Sequence, residues 1–206
     1  MNGSGMHVNM SLFKDGENIF YDKDAKDGLS QEALWFMGGL MKHIKAITAV
    51  ANPLVNSYKR LMPGYEAPIY IAWSVTNRSP LIRIPASRGE TTRVELRSPD
   101  SAANPYLTLA VCLAAGLEGI REKIMPPESI NRNIFELSEE ERKALNIDVL
   151  PTNLMHALQE LKKDKFICNV LGEHICSKYI EAKEKEWDRY KASVTDWEIQ
   201  AYLGKY

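Results

Sequence analysis

The 206-residue chain is poor in the features that would mark several functional classes. Its cysteines number three, Cys112, Cys168 and Cys176. They form neither a CxxC pair nor the even set of a secreted disulfide framework, so they read as reduced core thiols. No uncharged apolar run reaches the roughly 18 residues that a membrane span needs. The opening residues lack a basic segment followed by an apolar one. Together these features predict a cytoplasmic protein without membrane association. Charge of one sign is missing as well: 26 basic and 27 acidic residues leave a formal net charge of −1. No overall field recruits nucleic acid, and the chain has no regular aromatic interleaving for base stacking. Any preference for anions has to be local. Internal repeats and low-complexity linkers are also absent.

What is present is ordinary globular material, 45% hydrophobic and 26% charged. Near-alternation from His7 to Phe13 predicts a strand, with a polar turn at 14–18. Ser30 is placed to cap a helix that runs to about Ala51 and ends at Asn52-Pro53. Residues 56–66 read as a loop, followed by strand-like runs at 69–75, 80–85 and 92–97. In the last run, a period of two puts Val94 and Leu96 on a core face and Arg93, Glu95 and Arg97 on a charged one. Asn104-Pro105 starts a helix to Ile120 that is apolar almost all round and is expected to be deeply buried. Beyond Ile130 the texture becomes helical, with capping boxes at 138–141 and 195–198 and a break at Gly172. Mixed strands and unevenly spread helices predict an α+β fold.

Six of the ten arginines, at 60, 78, 83, 88, 93 and 97, fall between Asn56 and Arg97, where the carboxylates are Glu66, Glu90 and Glu95. Guanidinium groups stay charged and offer a planar fork to phosphate or carboxylate. Taken singly, each arginine is as well explained by a surface ion pair. Alternating Arg93, Glu95 and Arg97 beside Arg83 are harder to explain in that way, because like charges crowded on one sheet face are costly without an anionic or metallic partner. Glu95, flanked by arginines, would stay ionised and could hold a divalent cation or simply neutralise its neighbours. His7 follows a GSG turn whose backbone can approach a ligand, although a histidine taken alone is more often a structural residue than a ligand. Glu66, in PGYEAP, is either a lid carboxylate able to take a proton or a solvated loop acid. His43, His156 and His174 carry no reading beyond packing or exposure.

NGSGMHVNMSL at 2–12, NPLVNSYKRLMPGYEAP at 52–68, NRSPLIRIP at 77–85 and RVELRSPDSAANPYL at 93–107 together resemble the signature segments of glutamine synthetase, most nearly the bacterial type I enzymes. The likeness runs in order over essentially the whole chain. It implies the C-terminal portion of that family's catalytic domain. An antiparallel-type curved sheet, active-site loops and a buried helix would lie in 1–130, and a helical region in 131–206. It further implies an ATP-dependent ligase that phosphorylates glutamate and displaces the phosphate with ammonia, using Mg²⁺ or Mn²⁺ and ATP as substrate. By the same resemblance, His7 and Glu95 are metal ligands. Arg78 and Arg83 hold the phosphates, Arg78 also acting catalytically. Asn2, Gly3, Arg60 and Arg97 position glutamate. Asn9, Ser11 and Arg93 are nucleotide-side residues. Glu66 belongs to a flap that contacts glutamate and helps deprotonate ammonium.

Two departures accompany the likeness. Asn9 stands where a histidine is often found, and Phe135, in NIFEL at 133–137, stands where adenylylated type I enzymes carry a tyrosine. The family's N-terminal β-grasp domain and most of its carboxylate metal ligands are not matched in these 206 residues. An inactive isolated chain is therefore expected, with active sites completed between subunits of a ring-shaped homo-oligomer. The alternatives are a folded subunit-contact or regulatory module without catalysis and, among enzymes, a kinase acting on guanidino compounds, whose sheet is broadly similar.

Overall fold

The computed structural model describes residues 3–63 and 67–205. The first half alternates short strands with one long helix: β1 (Val8–Met10), β2 (Phe13–Lys14), β3 (Glu17–Asn18), α1 (Gln31–Ala51), β4 (Tyr70–Ile71), β5 (Trp73–Ser74), β6 (Ile82–Arg83) and β7 (Val94–Leu96). The second half is α2 (Pro105–Glu122), α3 (Glu139–Ala144), β8 (Asp148–Val149), α4 (Leu154–Lys163), α5 (Lys165–Leu171), α6 (Glu173–Ala192) and α7 (Asp196–Tyr202). The α+β expectation holds, with helices collecting toward the C-terminal end.

The principal sheet has the order β1-β7-β6-β5. β7 pairs antiparallel with both β1 and β6, whereas β5 and β6 are parallel, so the sheet is mixed. The reason lies in residues 75–81, which return the chain to the same end of the sheet. Ser74 Oγ accepts from the amides of Thr76 and Asn77, and Asn77 Oδ1 accepts from Ser79 N at 2.9 Å. Such side-chain-to-backbone bonds wind a loop where a hairpin would otherwise form. The expected strand at 69–75 is divided in two, because β4 leaves the sheet to pair with β8. The turn between β2 and β3 uses positive φ at Asp15 and Gly16, the backbone that suits a tight hairpin.

Ser30 caps α1 as expected, accepting from Ala33 N at 3.1 Å while donating to Ile19 O at 2.6 Å. Asn104 caps α2 with Pro105 following, and both expected capping boxes form. α1 and α2 cross at glycines: a Cβ on Gly39 would overlap the Ala115 carbonyl oxygen, and one on Gly119 would overlap that of Trp35. The two backbones are in contact there.

α2 departs from expectation. Val111, Cys112 and Ala115 are fully buried, but Tyr106, Leu109, Leu113 and Leu117 form an exposed stripe with Tyr106 at 83%. The apolar composition marks two faces, only one of which packs on α1 among the described residues.

A buried ionic bridge ties the helices together. His43 of α1 is 4% exposed, with Nδ1 2.5 Å from Asp164 Oδ2 and Nε2 2.5 Å from Glu118 Oε2. Asp164 also caps α5, accepting from Ile167 N, and Glu118 belongs to α2. Burial alone would lower the His43 pKa, but the two carboxylates outweigh it and raise the value above 6.5. Burial likewise opposes ionisation of Glu118 and Asp164, yet His43 and the other donors bring both below their ordinary values of 4.5 and 3.8. A raised imidazole pKa contributes stability that is complete below 6.5 and is lost as pH climbs through the folded value. The depressed carboxylates contribute above their ordinary values and lose that contribution as pH falls through the folded ones. All three therefore act together between about pH 4.5 and 6.5. Thermal unfolding of His43→Gln beside the native chain is expected to show the largest deficit in that window, about 3 kcal/mol, shrinking toward pH 9. Parallel profiles at every pH would contradict the bridge.

Candidate active-site wall

The register of the sheet assembles the site. Glu95 at the centre of β7 lies opposite Asn9 of β1 on one side and Arg83 of β6 on the other. Val94 and Leu96 turn into the core at 0% exposure, as their alternation predicts. The charged face is enclosed too, with Glu95 and Arg97 both buried. Glu95 Oε1 is 2.8 Å from His7 Nδ1, and Oε2 accepts from Arg83 Nε at 2.5 Å. Burial works against the Glu95 charge, but Arg83 first and His7 second more than offset it, and its pKa falls below the ordinary carboxylate value.

Arg97 is fixed by backbone. Its guanidinium donates to the carbonyls of Arg78 and Pro80, which ties β7 to the loop preceding β6. Its pKa is lowered chiefly by burial. Glu95 opposes that shift, and the charges of Arg83, Arg78 and Arg60 add to it. The guanidinium groups of Arg83, Arg78 and Arg60 therefore lie near enough to Arg97 for it to feel their charges. Arg60 lies at the end of the 3₁₀ turn Val55–Lys59 and donates to Ser98 O at 2.8 Å and Arg97 O at 3.1 Å. Burial lowers its pKa, with Asp100 opposing. Gly5 leaves room for that guanidinium, since an added Cβ would sit 2.5 Å from Arg60 Nη2 and displace it. Gly3 packs along the same side chain, where a Cβ would lie 3.4 Å from Arg60 Cβ.

A cavity of about 740 Å³ opens over this wall, lined by Gly3, His7, Arg60, Arg97 and Asp100 among others. A concave site with convergent cations and few carboxylates suits a small polyanion or an amino-acid carboxylate. On the neighbouring edge Arg93 Nε donates to Asn9 Oδ1 at 3.1 Å, so the amide at position 9 holds that arginine. Ser11 is exposed in the segment after β1, and Arg78 is exposed on its loop. Asn2 and Glu66 lie outside the described residues. Asp100 is a member of the wall that the sequence alone did not single out, whereas Gly5 belongs to the GSG turn before His7. Asp100 directly follows the Arg-Ser-Pro segment, but no local pattern indicates that it faces Arg60.

His7 and Glu95 are close enough to share a cation, but Mg²⁺ or Mn²⁺ takes about six ligands, mostly oxygen. Among the described residues, no group of three His, Cys, Asp or Glu is arranged to hold a metal. The pair fits one side of a metal centre and not a complete one.

This wall lies on the mixed sheet of an α+β fold whose helices collect toward the C-terminal end. Residues 1–202 match the family model for the glutamine synthetase catalytic domain, and the chain belongs to that family. It is 60% identical over 203 residues to a glutamine synthetase of Methanosarcina mazei and 57% identical over 203 residues to one of Thermotoga maritima, covering 98% of this chain in each case. The chain spans 45% and 46% of those relatives' lengths. A solved structure of GmaS in complex with ADP superposes with a TM-score of 0.86 at 37% identity, covering 98% of this chain and 46% of that one. GmaS without ligand gives 0.84 at 38%, covering 98% and 45%. No helix among the described residues is long and apolar enough to cross a membrane.

The electrostatic argument is open to test. Glu95→Gln leaves the clustered guanidinium groups without their main neutralising charge and is expected to lower stability by about 2 kcal/mol at low ionic strength. Added pyrophosphate should recover part of the loss. Equal unfolding temperatures for the variant and native chains, with or without pyrophosphate, would refute the role given to Glu95.

Proposed function

We propose that this chain forms the arginine-bearing wall of a glutamine synthetase active site, in which glutamate, ammonia and ATP are converted to glutamine through glutamyl phosphate. The observation that carries the reading is a cavity lined by His7, Arg60 and Arg97, beside which Glu95 meets both His7 and Arg83, and Arg97 feels the charges of Arg83, Arg78 and Arg60. Transfer of a phosphoryl group demands little covalent chemistry from a protein. It demands that charge on three equatorial oxygens be neutralised and the reactants aligned. Arg83 and Arg78 are the groups for the phosphate oxygens. Arg60, Arg97 and Gly3, with Asn2, are those for glutamate.

Arg93, steadied by Asn9, and Ser11 take the nucleotide side. A divalent cation would be held on this side by His7 and Glu95 and would supply further charge neutralisation to the phosphates. Glu66, on the flap, accepts the proton that ammonium must lose before its nitrogen attacks, and a closed flap keeps water from the acyl phosphate. The cytoplasm is the compartment that suits this chemistry and the three reduced thiols.

His7 and Glu95 are too few to hold the cation, so the wall needs an opposite side. In this reading that side comes from the remainder of the family's catalytic domain and from a neighbouring subunit of a ring-shaped homo-oligomer. A contact role for the last helix and its flanks is favoured by the exposed Val194, Trp197 and Leu203. It accompanies the catalytic reading and does not replace it, because a contact module has no use for four clustered guanidinium groups.

The purified 206-residue chain is expected to form no glutamine from glutamate, ammonia, ATP and Mg²⁺, and turnover by the chain alone would overturn the incomplete-wall reading. In an enzyme that joins this chain to the rest of the family's catalytic domain, Arg97→Ala should reduce kcat/KM for glutamate about a hundredfold. Unchanged kinetics there would remove Arg97 from the site. Residue 135 gives a separate check. Phe135 stacks edge-on against Tyr70, with ring centroids 5.7 Å apart, and has no hydroxyl. Mass spectrometry after treatment with an adenylylating enzyme and ATP should find position 135 unmodified, and a nucleotidyl group there would contradict the assignment.

A further inference from the structure

Cys168 of α5 and Cys176 of α6 lie on either side of Gly172, which has φ 79° and is the single residue between the two helices. The corner turns the two cysteines toward each other, with their sulfur atoms 2.9 Å apart. Both are free thiols, and they form a short relay: Cys176 Sγ donates to Cys168 Sγ, and Cys168 Sγ donates to Leu161 O at 3.2 Å. Leu161 O also accepts from Asp164 N at 3.1 Å, so losing the thiol donor leaves no carbonyl unsatisfied. Closing a bond requires the sulfurs to approach to about 2.05 Å, a movement of less than about 1 Å at a corner already shaped for it.

We propose that Cys168 and Cys176 form a reversible dithiol–disulfide site, oxidised by low-molecular-weight disulfides. Their burial assigns the two roles. Cys168 is half-buried and is the more accessible sulfur for a small reagent, whereas Cys176 is only 5% exposed. The Cys168 thiolate attacks one sulfur of R–S–S–R, giving a mixed disulfide and one R–SH. Cys176 then gives up its proton and attacks the Cys168 sulfur, forming the intramolecular bond and expelling the second R–SH. The protein loses two hydrogens and two electrons, and the small disulfide gains both.

The location gives the bond a structural consequence. α5 is tethered to α1 through Asp164 and His43, and Phe166 packs on the His43 ring with centroids 4.9 Å apart. α6 is tethered to the same helix by Tyr179, whose hydroxyl donates to Ala49 O at 2.7 Å. Oxidation would lock the corner between these two attachments to α1. Burial, followed by the nearby Cys176, pushes the Cys168 thiol up to about 12, so exchange is slow near neutrality. Its rate should rise about tenfold per pH unit.

The test is to incubate the folded chain with oxidised glutathione at pH 7, 8 and 9, quench with acid, alkylate, and map the products by mass spectrometry. The expected result is a loss of two hydrogens, with a peptide linking 168 to 176, reversed by dithiothreitol and faster at each higher pH. Cys176→Ala should stop at one glutathione on Cys168, while Cys112→Ser should oxidise as the native chain does. Recovery of both thiols alkylated, or of stable glutathione on native Cys168 with no 168–176 link, would overturn the proposal. So would a link that forms only in denaturant.

Discussion

Glu95 accepts from Arg83 on one oxygen and meets His7 on the other, and those two contacts decide how closely the guanidinium groups of this sheet can gather. Without a buried carboxylate in their midst, Arg60, Arg83 and Arg97 would repel one another in a partly desolvated place. With it, Arg83 is held by Glu95, while Arg60 and Arg97 are held by backbone carbonyls and bring positive potential to the cavity. The arrangement is preorganised: the positions of these charges are set by the fold's own hydrogen bonds. Arg97, anchored to two carbonyls of the preceding loop, shows how main chain substitutes for counter-charge.

The same economy runs through the fold. The sheet supplies a register in which one position serves three strands, since Glu95 faces both Asn9 and Arg83. The helices behind it are secured by a second buried charge set, His43 with Glu118 and Asp164, which spans α1, α2 and the start of α5. In both places a charge is tolerated inside because every hydrogen-bonding edge that points inward is met. His43 binds tightly enough to keep both carboxylates ionised despite their burial.

Much of this was legible in the sequence, and the reasons for success and failure are physical. Helix starts were readable because Ser30, Asn104, Ser138 and Thr195 act on amides two or three residues away. The two faces of β7 followed from a period of two. The four signature segments pointed to the wall because each carries residues that the fold brings to it. The split of 69–75 into two strands was not readable, nor was the parallel pairing of β5, since both depend on partners remote in the chain. His43 escaped notice for the same reason: its partners stand 75 and 121 positions away. The exposed stripe on α2 shows the limit of composition, because an apolar helix does not report which of its faces is covered.

The contact between α1 and α2 has a mechanical side. Where Gly39 meets Gly119, backbone touches backbone and no side chain can change rotamer to absorb a displacement. The two helices consequently move as one strut. A push delivered at the α5–α6 corner, which is moored to α1 by Asp164 and Tyr179, would pass into α2 with little slack. α2 follows directly from the segment that carries Arg97 and Asp100, so stiffness in this crossing sets how finely the arginine wall can be held in place.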